Sequence, residues 1–295
     1  MDGPPLALYI VHTVLCLVSI VANLMLFVLI FMHTPPANRS YSILILSLCA
    51  LELVTSTSSL LLFQRLIPCG TSLFMISSGP SILFHSRRLC FVLYSIMMHG
   101  HSHYIWMMAF LFCFRYFVLV KPTPRPRSVA ILCVLYYIPT AIVFGVLAGS
   151  HLAPEKEMLE KLRTSLGYDM RGAIITGYMD IFEPRVISAI FWVCAPSAPL
   201  ACLTIALSGR IHRKLSGRSI AMSDNTRRLH RELVQALTVQ AALTIVFTLS
   251  VVSYLLGQLN IVHDPVVEYS THMMGEICLA TSPIVTIHYV RSYRR

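Results

Sequence analysis

Residues 90–122, CFVLYSIMMHGHSHYIWMMAFLFCFRYFVLVKP, determine how the rest of the chain is interpreted. Up to residue 120, the one side chain in this apolar stretch that is certainly charged is Arg115. A helix rises about 1.5 Å per residue, so roughly 38 Å separate Cys90 from Arg115. That length crosses a hydrocarbon core of about 30 Å. Because a charge at the bilayer centre costs on the order of a few kcal/mol, Arg115 is predicted to lie near one membrane face.

The composition excludes an ordinary soluble protein. The chain has 295 residues, of which 56% are hydrophobic and 12% are charged, whereas soluble domains carry about 25% charged residues. Most of the nine cysteines lie inside apolar runs, and no CxxC pair indicates a zinc or redox motif. We therefore expect an integral membrane protein without a metal or a cofactor.

Six further apolar segments are long enough to cross a membrane as helices. Proline-rich or basic segments separate several of them, such as residues 121–127, KPTPRPR. The sequence predicts an all-α integral membrane protein, a seven-transmembrane helix bundle that forms a single domain over residues 1–295. Residues 154–166 add a surface helix or a cap, and residues 64–88 are expected to form a loop. The seven predicted spans are residues 6–32, 42–63, 89–120, 128–148, 186–207, 232–256 and 266–290.

The basic residues are concentrated on one side of the predicted bundle. Seven spans place the termini on opposite faces, and fifteen of the 23 Lys and Arg residues fall on the face of the C-terminus. Cytoplasmic loops carry an excess of Lys and Arg, so the N-terminus is predicted outside and the C-terminus inside. The formal charge of +10 then indicates membrane topology, contact with anionic lipid and a cytosolic docking surface, not a nucleic-acid groove.

The pair Arg115-Tyr116 stands at the inner end of the third span. Cys90 lies 25 residues before the arginine, and Pro122 lies seven residues after it. This spacing resembles the third helix of G-protein-coupled receptors. Taken alone, Arg115 is also compatible with an interfacial arginine whose charge reaches the headgroups.

Three other segments narrow the resemblance: residues 99–103, HGHSH, residues 230–240, HRELVQALTVQ, and residues 282–294, SPIVTIHYVRSYR. Together they resemble the nematode serpentine chemoreceptors of the Str-type superfamily, nearest to class delta, over the whole chain. The resemblance implies a multi-pass receptor in the plasma membrane of sensory neurons, in their cilia. It implies detection of a small environmental chemical, activation of a heterotrimeric G protein and no enzymatic activity. The oligomeric state stays open.

Several departures from rhodopsin-like receptors bear on mechanism. Phe114 precedes Arg115 in place of an acid, so no adjacent carboxylate holds the arginine. The seventh span has no lysine, which excludes a retinal Schiff base.

The loop between the fourth and fifth spans has no cysteine to pair with Cys90. We expect Cys90 to pair with Cys69, because both face the oxidising lumen during synthesis, with Cys194 as a competitor.

Histidines and glutamates inside the predicted spans leave several interpretations open. His99 and His103 share a helix face, whereas His101 points elsewhere. These histidines could pack between helices, contact a ligand or bind a metal, although no further metal ligands have a fixed spacing.

Glu52 could couple the spans, with a proton or a cation taking part, or could be a neutral hydrogen-bonded acid. Glu276 is a candidate for the pocket.

The predicted functional residues form three groups on different parts of the bundle. Polar residues in the outer halves of the helices, or just beyond them, predict a ligand pocket: Tyr94, His99, His103, Gln258, Glu268, His272 and Glu276. Basic and aromatic residues at the inner ends predict G-protein coupling: Arg115, Tyr116, Arg227, Arg228 and Arg231. Residues within the spans predict polar coupling between helices: Asn23, Glu52, Ser282 and Pro283.

Two other functions use similar residues. A ligand-gated channel or a transporter also places Glu and His in the membrane, but no internal repeat is visible and Arg115-Tyr116 argues against it. An intramembrane metalloenzyme built on the three histidines is the less favoured alternative. Ligand-evoked current in cells that lack G proteins would favour a channel. Stoichiometric zinc or iron in the purified protein would favour an enzyme.

Overall fold

The structure, a computed structural model, describes residues 6–34, 39–168, 170, 173–216 and 224–289. Within these residues the chain forms eight α-helices, three β-strands and a short 3-10 helix, Pro80–Phe84. The helices are α1 (Leu6–His33), α2 (Arg39–Leu62), α3 (Arg87–Val118), α4 (Pro126–Ala148), α5 (Glu155–Leu166), α6 (Pro184–Ser216), α7 (Asp224–Gln258) and α8 (Pro265–Tyr289). The strands are β1 (Gln64–Cys69), β2 (Ser72–Ser77) and β3 (Ile174–Tyr178).

A long helix lies over most of each predicted span, and the predicted surface helix is α5. In the described part of the chain, five helices are long and apolar enough to cross a membrane: α1, α2, α4, α6 over Pro184–Lys214 and α7 over Val234–Gln258. Helices α3 and α8 fall outside this set because histidines and charged residues interrupt their apolar sequence.

Helix α3 lies at the centre of the bundle, where it packs against α2, α4, α6 and α7. The other long helices surround it in the order α1, α2, α4, α6, α7 and α8, and α8 returns to α1. In this position the polar side chains of α3 face neighbouring helices on several sides. On the outer helices, apolar side chains such as Val14, Val21, Ile131 and Ile142 are exposed, as expected for surfaces that face lipid.

A small sheet covers one end of the bundle, and we call this sheet together with α5 the cap. β1 and β2 form an antiparallel hairpin with Cys69 opposite Ser72, and β3 pairs antiparallel with β2. Gly70 supplies the positive φ, 56°, that the two-residue turn requires. The prediction of a loop over residues 64–88 is therefore wrong, and the all-α class needs this correction.

The cap has a hydrophobic core of its own. Met158 and Leu162 lie four residues apart on one face of α5, and they pack on Ile67, Phe74 and Ile175 of the sheet. The other face of α5 is charged and exposed, which is the pattern of a surface helix.

The predicted disulfide between Cys69 and Cys90 is not formed, because both cysteines are free thiols in the structure. Cys69 lies at the turn end of β1 and packs in the cap core. Cys90 lies in the first turn of α3 and packs in the main core, where its Sγ is 3.5 Å from Ser81 Oγ. The two thiols thus belong to separate cores. The competitor Cys194 is also free.

The segment between the fifth and sixth predicted spans, residues 208–231, is helical at both of its ends. α6 continues to Ser216 and α7 begins at Asp224, so both helices extend at the end opposite the cap. There, Thr238 Oγ1 lies 2.9 Å from Ser208 Oγ and 3.1 Å from His212 Nε2. These bonds hold the two helix ends together.

Candidate functional site

A cavity lies beneath the cap, between α3, α4, α6, α7 and α8. It contains about 720 Å³ of empty space, including the part of its opening that is solvent. Each strand of the cap contributes one lining side chain: Leu66, Leu73 and Tyr178. The walls are mostly apolar: Met98, Phe144, Leu147, Val186, Ala189, Ile190, Val193, Cys194, Phe247 and Val251.

Seven of the lining side chains carry polar groups: Tyr94, His101, Tyr178, Ser250, Tyr254, Thr271 and His272. The ring of His272 stacks on that of His101, with 6.4 Å between centroids, and meets the ring of Tyr94 edge-on at 6.0 Å. Nε2 of His272 has no hydrogen-bond partner among the described residues. This nitrogen is therefore available to a bound molecule.

One turn further from the cap, Glu276 joins four helices. Its Oε1 lies 3.1 Å from Nε2 of His101 on α3. Its Oε2 lies 3.2 Å from Ser56 Oγ on α2, and it accepts a weak bond of 3.7 Å from the thiol of Cys16 on α1. The carboxyl is fully buried, so these contacts replace water. Because His101 also lines the cavity, it connects the cavity with this four-helix cluster.

The cluster continues along α1. Ser56 Oγ lies 2.8 Å from Ser19 Oγ, and His12 Nε2 lies 3.0 Å from Ser59 Oγ. His12, Cys16 and Ser19 follow one another at helical spacing and are all buried. This polar stripe attaches α1, whose other sides are apolar and exposed, to the centre of the bundle.

The structure brings some of the predicted ligand residues to this cavity. Tyr94 and His272 line it, and Glu276 lies next to it through His101. Helical spacing groups His99 with His103 and places His101 on another face. Of these three histidines, however, His101 is the one that lines the cavity. A signal for it was present, because Tyr94 and His101 are seven residues apart and therefore share a helix face.

His99 and His103 lie outside the cavity and face α4. Nδ1 of His103 is 3.4 Å from Thr140 Oγ1. The ring of Tyr137 meets the rings of His99 and His103 edge-on, at 4.8 Å and 5.2 Å. The two histidines do share a face, but that face packs between α3 and α4.

Gln258 and Glu268 hold the cap and do not line the cavity. Gln258 donates to the backbone carbonyl of Gly70. Glu268 Oε2 accepts from Nε of Arg65 at 2.6 Å, in a pair whose side chains are 5% and 3% exposed. The hydroxyl of Tyr168 donates to Glu268 Oε1 at 3.3 Å, and its ring lies 4.5 Å from the guanidinium of Arg65. Sequence patterns gave no indication of Arg65.

At the opposite end, Arg115 is 3% exposed, so it does not extend to the membrane surface as an interfacial arginine would. Its Cζ lies 3.2 Å from the centroid of the Tyr41 ring on α2. Next to it, Tyr116 is half-buried and has Nζ of Lys214 5.2 Å from its ring centroid. The side chains of the other three predicted coupling residues are outside the described part of the chain: Arg227, Arg228 and Arg231.

Gln240 links α7 to α8 beside Pro283, which is inside α8. Its Nε2 donates to the backbone carbonyl of Ser282 at 3.0 Å, and it lies 3.1 Å from Ser282 Oγ and 3.0 Å from Thr286 Oγ1. Since proline removes a backbone hydrogen bond from the helix interior, these contacts support α8 at that point.

Glu52 is fully buried in α2, close to Asn23 and Ser282. Asn23 in turn donates to the carbonyl of Ser19 at 3.0 Å, and the thiol of Cys49 donates to the carbonyl of Asn23 at 3.0 Å. Polar residues thus connect α1, α2 and α8 at a second level of the bundle, further from the cap than Glu276.

The arrangement is suited to binding. Within the described residues, no group of three or more His, Cys, Asp and Glu side chains is arranged to hold a metal ion. A largely apolar cavity with a few polar groups is the usual form of a small-molecule site. Together with helices that can cross a membrane, it defines a multi-pass membrane protein with an internal cavity.

Comparison with known proteins shows the family to which this chain belongs. The family of serpentine type 7TM GPCR chemoreceptors, Srd, matches residues 8–295, and the chain belongs to it. Serpentine receptor class delta-1 of Caenorhabditis elegans is 28% identical over 287 residues, which cover 95% of this chain and 77% of the relative. Class delta-18 of the same organism is 29% identical over 278 residues, covering 92% and 82%. The resemblance to class delta is thereby confirmed.

Proposed function

We propose that this chain is a seven-span, G-protein-coupled chemosensory receptor that binds a small molecule in the cavity beneath the cap. The observation that carries the proposal is the position of His101. It lines the cavity and also contacts the Glu276 carboxyl, which joins four helices. Membership of a chemoreceptor family supports the same function.

The lining of the cavity favours a neutral ligand that is mostly apolar. None of its described side chains is Asp, Glu, Lys or Arg, so a charged ligand would be desolvated without an opposite charge. The hydroxyl of Tyr94 and Nε2 of His272 can each bond a single polar group on the ligand. A ketone, an alcohol or an ester of low molecular weight has this chemistry.

The signal would pass along α3. Between His101 and Arg115 this helix extends for 14 residues, or about 21 Å. A ligand that binds better to one arrangement of His101 and Glu276 shifts the population of bundle conformations. We infer that the favoured conformation separates Arg115 from Tyr41 and exposes the arginine to the G protein. Guanidinium, with five fixed donors, suits contact with the carbonyl groups of a bound helix.

The orientation that fits this function has the cap outside the cell and the ends of α6 and α7 inside. The excess of Lys and Arg at the end opposite the cap supports it. An antibody against an N-terminal epitope tag should then stain intact cells, whereas a C-terminal tag should require permeabilised cells. The reverse staining pattern would contradict the orientation. Staining of tagged receptor in a sensory neuron would test the proposed location in cilia.

The decisive experiment is a screen of neutral volatile compounds in cells that report G-protein activation. Any active compound is then tested on Ala189→Phe, which fills the cavity from α6. The matched control is Ala195→Phe, on the exposed side of the same helix. We expect the first variant to lose the response and the second to keep it, at equal surface levels. Ligand-evoked current without G proteins would instead favour a ligand-gated channel.

A further inference from the structure

A second opening, which we call the side groove, lies on the other side of α3 between α2, α3 and α4. It contains about 1190 Å³ of empty space, part of which is open to its surroundings. Small residues such as Ala50, Ala141 and Gly145 make this space, and a Cβ added at Gly145 would meet nothing within 4 Å. Val54 and Tyr137 at its edge are exposed on the side of the bundle. In a membrane, the side groove therefore opens to lipid.

His99 is the polar side chain that this groove leaves without a partner. The residue is 8% exposed, and neither ring nitrogen has a hydrogen-bond partner among the described residues. The hydroxyls of Thr55 and Ser95, by contrast, donate to carbonyls of their own helices at 2.7 Å and 3.0 Å. A buried polar group without a partner costs free energy. The groove thus has one unsatisfied polar point in apolar surroundings.

The chemistry of the imidazole selects the partner. A neutral ring has one N–H donor and one acceptor nitrogen. Neither ring nitrogen of His99 has a partner among the described residues, so the acceptor nitrogen needs a donor. Among neutral groups that a lipid-soluble molecule carries, a hydroxyl donates, whereas a ketone or an ester only accepts.

The depth of His99 narrows the source of this hydroxyl. His99 lies 12 residues, or about 18 Å, from Arg87 at the cap end of α3. In a hydrocarbon core about 30 Å thick, this is close to the middle. The hydroxyl of a membrane sterol stays at the headgroups and does not reach that depth, but an alcohol dissolved in the bilayer does. The α4 wall from Tyr137 to Ala148 is about 16 Å long and can hold a medium-length alkyl chain.

We propose that the side groove is a second binding site, which takes a neutral aliphatic alcohol from the lipid phase. The hydroxyl donates to His99, and the alkyl chain lies along α4 towards Ala148. The site is separated from the cavity beneath the cap by α3 and by Phe144, which lines both. Its existence does not depend on the proposed receptor function.

The test is photolabelling of the full-length protein in phosphatidylcholine nanodiscs with 3-azioctanol, read out by peptide mass spectrometry. We expect label on the groove walls, residues 95–99 and 137–148, and competition by octan-1-ol but not by n-octane. His99→Phe should lower the competed label about fivefold, the effect of one lost hydrogen bond. Gly145→Leu should block the groove. Val146→Leu, at the neighbouring lipid-exposed position, should label like the unaltered protein.

Equal competition by octane, or full labelling of Gly145→Leu, would overturn the proposal, because the groove would then recognise no hydroxyl. If octan-1-ol does not displace the label, the proposal is also overturned, because water or lipid chains would then occupy the side groove. Should His99→Phe fail to fold, Gly145→Leu still decides, since it leaves His99 in place and its Cβ enters open space.

Discussion

The contact between Arg115 and the ring of Tyr41 is a restraint that the sequence around the arginine does not show. Phe114 offers no charge, and a comparison with rhodopsin-like receptors therefore predicts a weakly held arginine. The structure instead places the guanidinium against an aromatic face of α2. Such a cation–π contact contributes about 1–2 kcal/mol when it is desolvated.

Tyr41→Leu should therefore raise ligand-independent signalling about fivefold, because it removes this contact. Tyr41→Phe keeps the aromatic face and should leave basal signalling nearly unchanged. Arg115→Ala should abolish activation at normal surface levels, and Phe114→Asp should lower the basal signal by adding a carboxylate. The measurement is basal G-protein activation per receptor at the cell surface. Unchanged activity of Tyr41→Leu would show that the ring does not restrain Arg115.

Glu276 is expected to behave as a positioning residue for the bundle. Glu276→Leu removes the partner of His101 and Ser56, and each buried polar group left unpaired costs about 1–3 kcal/mol. Surface expression and thermal stability in detergent should fall. Glu276→Gln retains an acceptor and should keep most of both. Ile277→Leu, at the neighbouring exposed position, is the control. If Glu276→Leu has normal stability, the contacts of Glu276 are not needed to assemble the bundle.

At the scale of residues, the sequence predicted which polar residues are important better than it predicted which residues they contact. The polar residues in the spans could be recognised as special, because isolated polar groups are costly in a membrane. Which of them meet depends on how the helices are rotated against one another. A face argument for α3 grouped His99 with His103 correctly, yet it could not show that this pair faces α4 and that His101 faces Glu276.

At the scale of elements, α2 and α3 are brought together by Gly100. A Cβ at this position would lie 1.7 Å from Thr55 Oγ1. Gly100→Ala should therefore force the helices apart, at about 1–3 kcal/mol of stability. Gly145→Ala is a matched helical control with nothing within 4 Å of the new Cβ, and it should be neutral or stabilising by helix propensity.

Thermal unfolding of purified receptor measures both glycine variants. Adding Thr55→Gly to Gly100→Ala removes the clashing side chain and should restore part of the loss. A Gly100→Ala protein as stable as the Gly145→Ala control would mean that the helices adjust without cost.

The helices could be predicted because each apolar run is long and is ended by proline, glycine or charge. The strands of the cap could not be predicted, since they are six residues or shorter and lie in a region whose sequence is typical of an extracellular loop. One local signal was available, the apolar runs on either side of Gly70-Thr71, which are typical of a hairpin with a two-residue turn. Periodicity alone does not distinguish such short runs from loop sequence.

At the scale of the molecule, the Arg65–Glu268 pair attaches the cap to the bundle. Breaking a buried pair of this kind costs about 3–5 kcal/mol, so Glu268→Ala should speed hydrogen exchange of the β1–β2 amides by more than about a hundredfold. The Arg87–Glu155 pair is longer, 3.8 Å, and more exposed, and Glu155→Ala should change exchange little. Equal protection in both variants would show that other contacts hold the cap.

The central position of α3 has a consequence for biosynthesis. The translocon passes a segment into the bilayer according to its apolar content, and α3, with three histidines and three arginines, is outside the set of helices that qualify alone. A nascent chain that stops after α3 should therefore leave this segment largely uninserted, whereas a chain that continues through α4 should insert both. Glycosylation mapping of truncated chains measures the difference. The side chains that shape the cavity would then also delay the folding of the receptor until its fourth helix has been made.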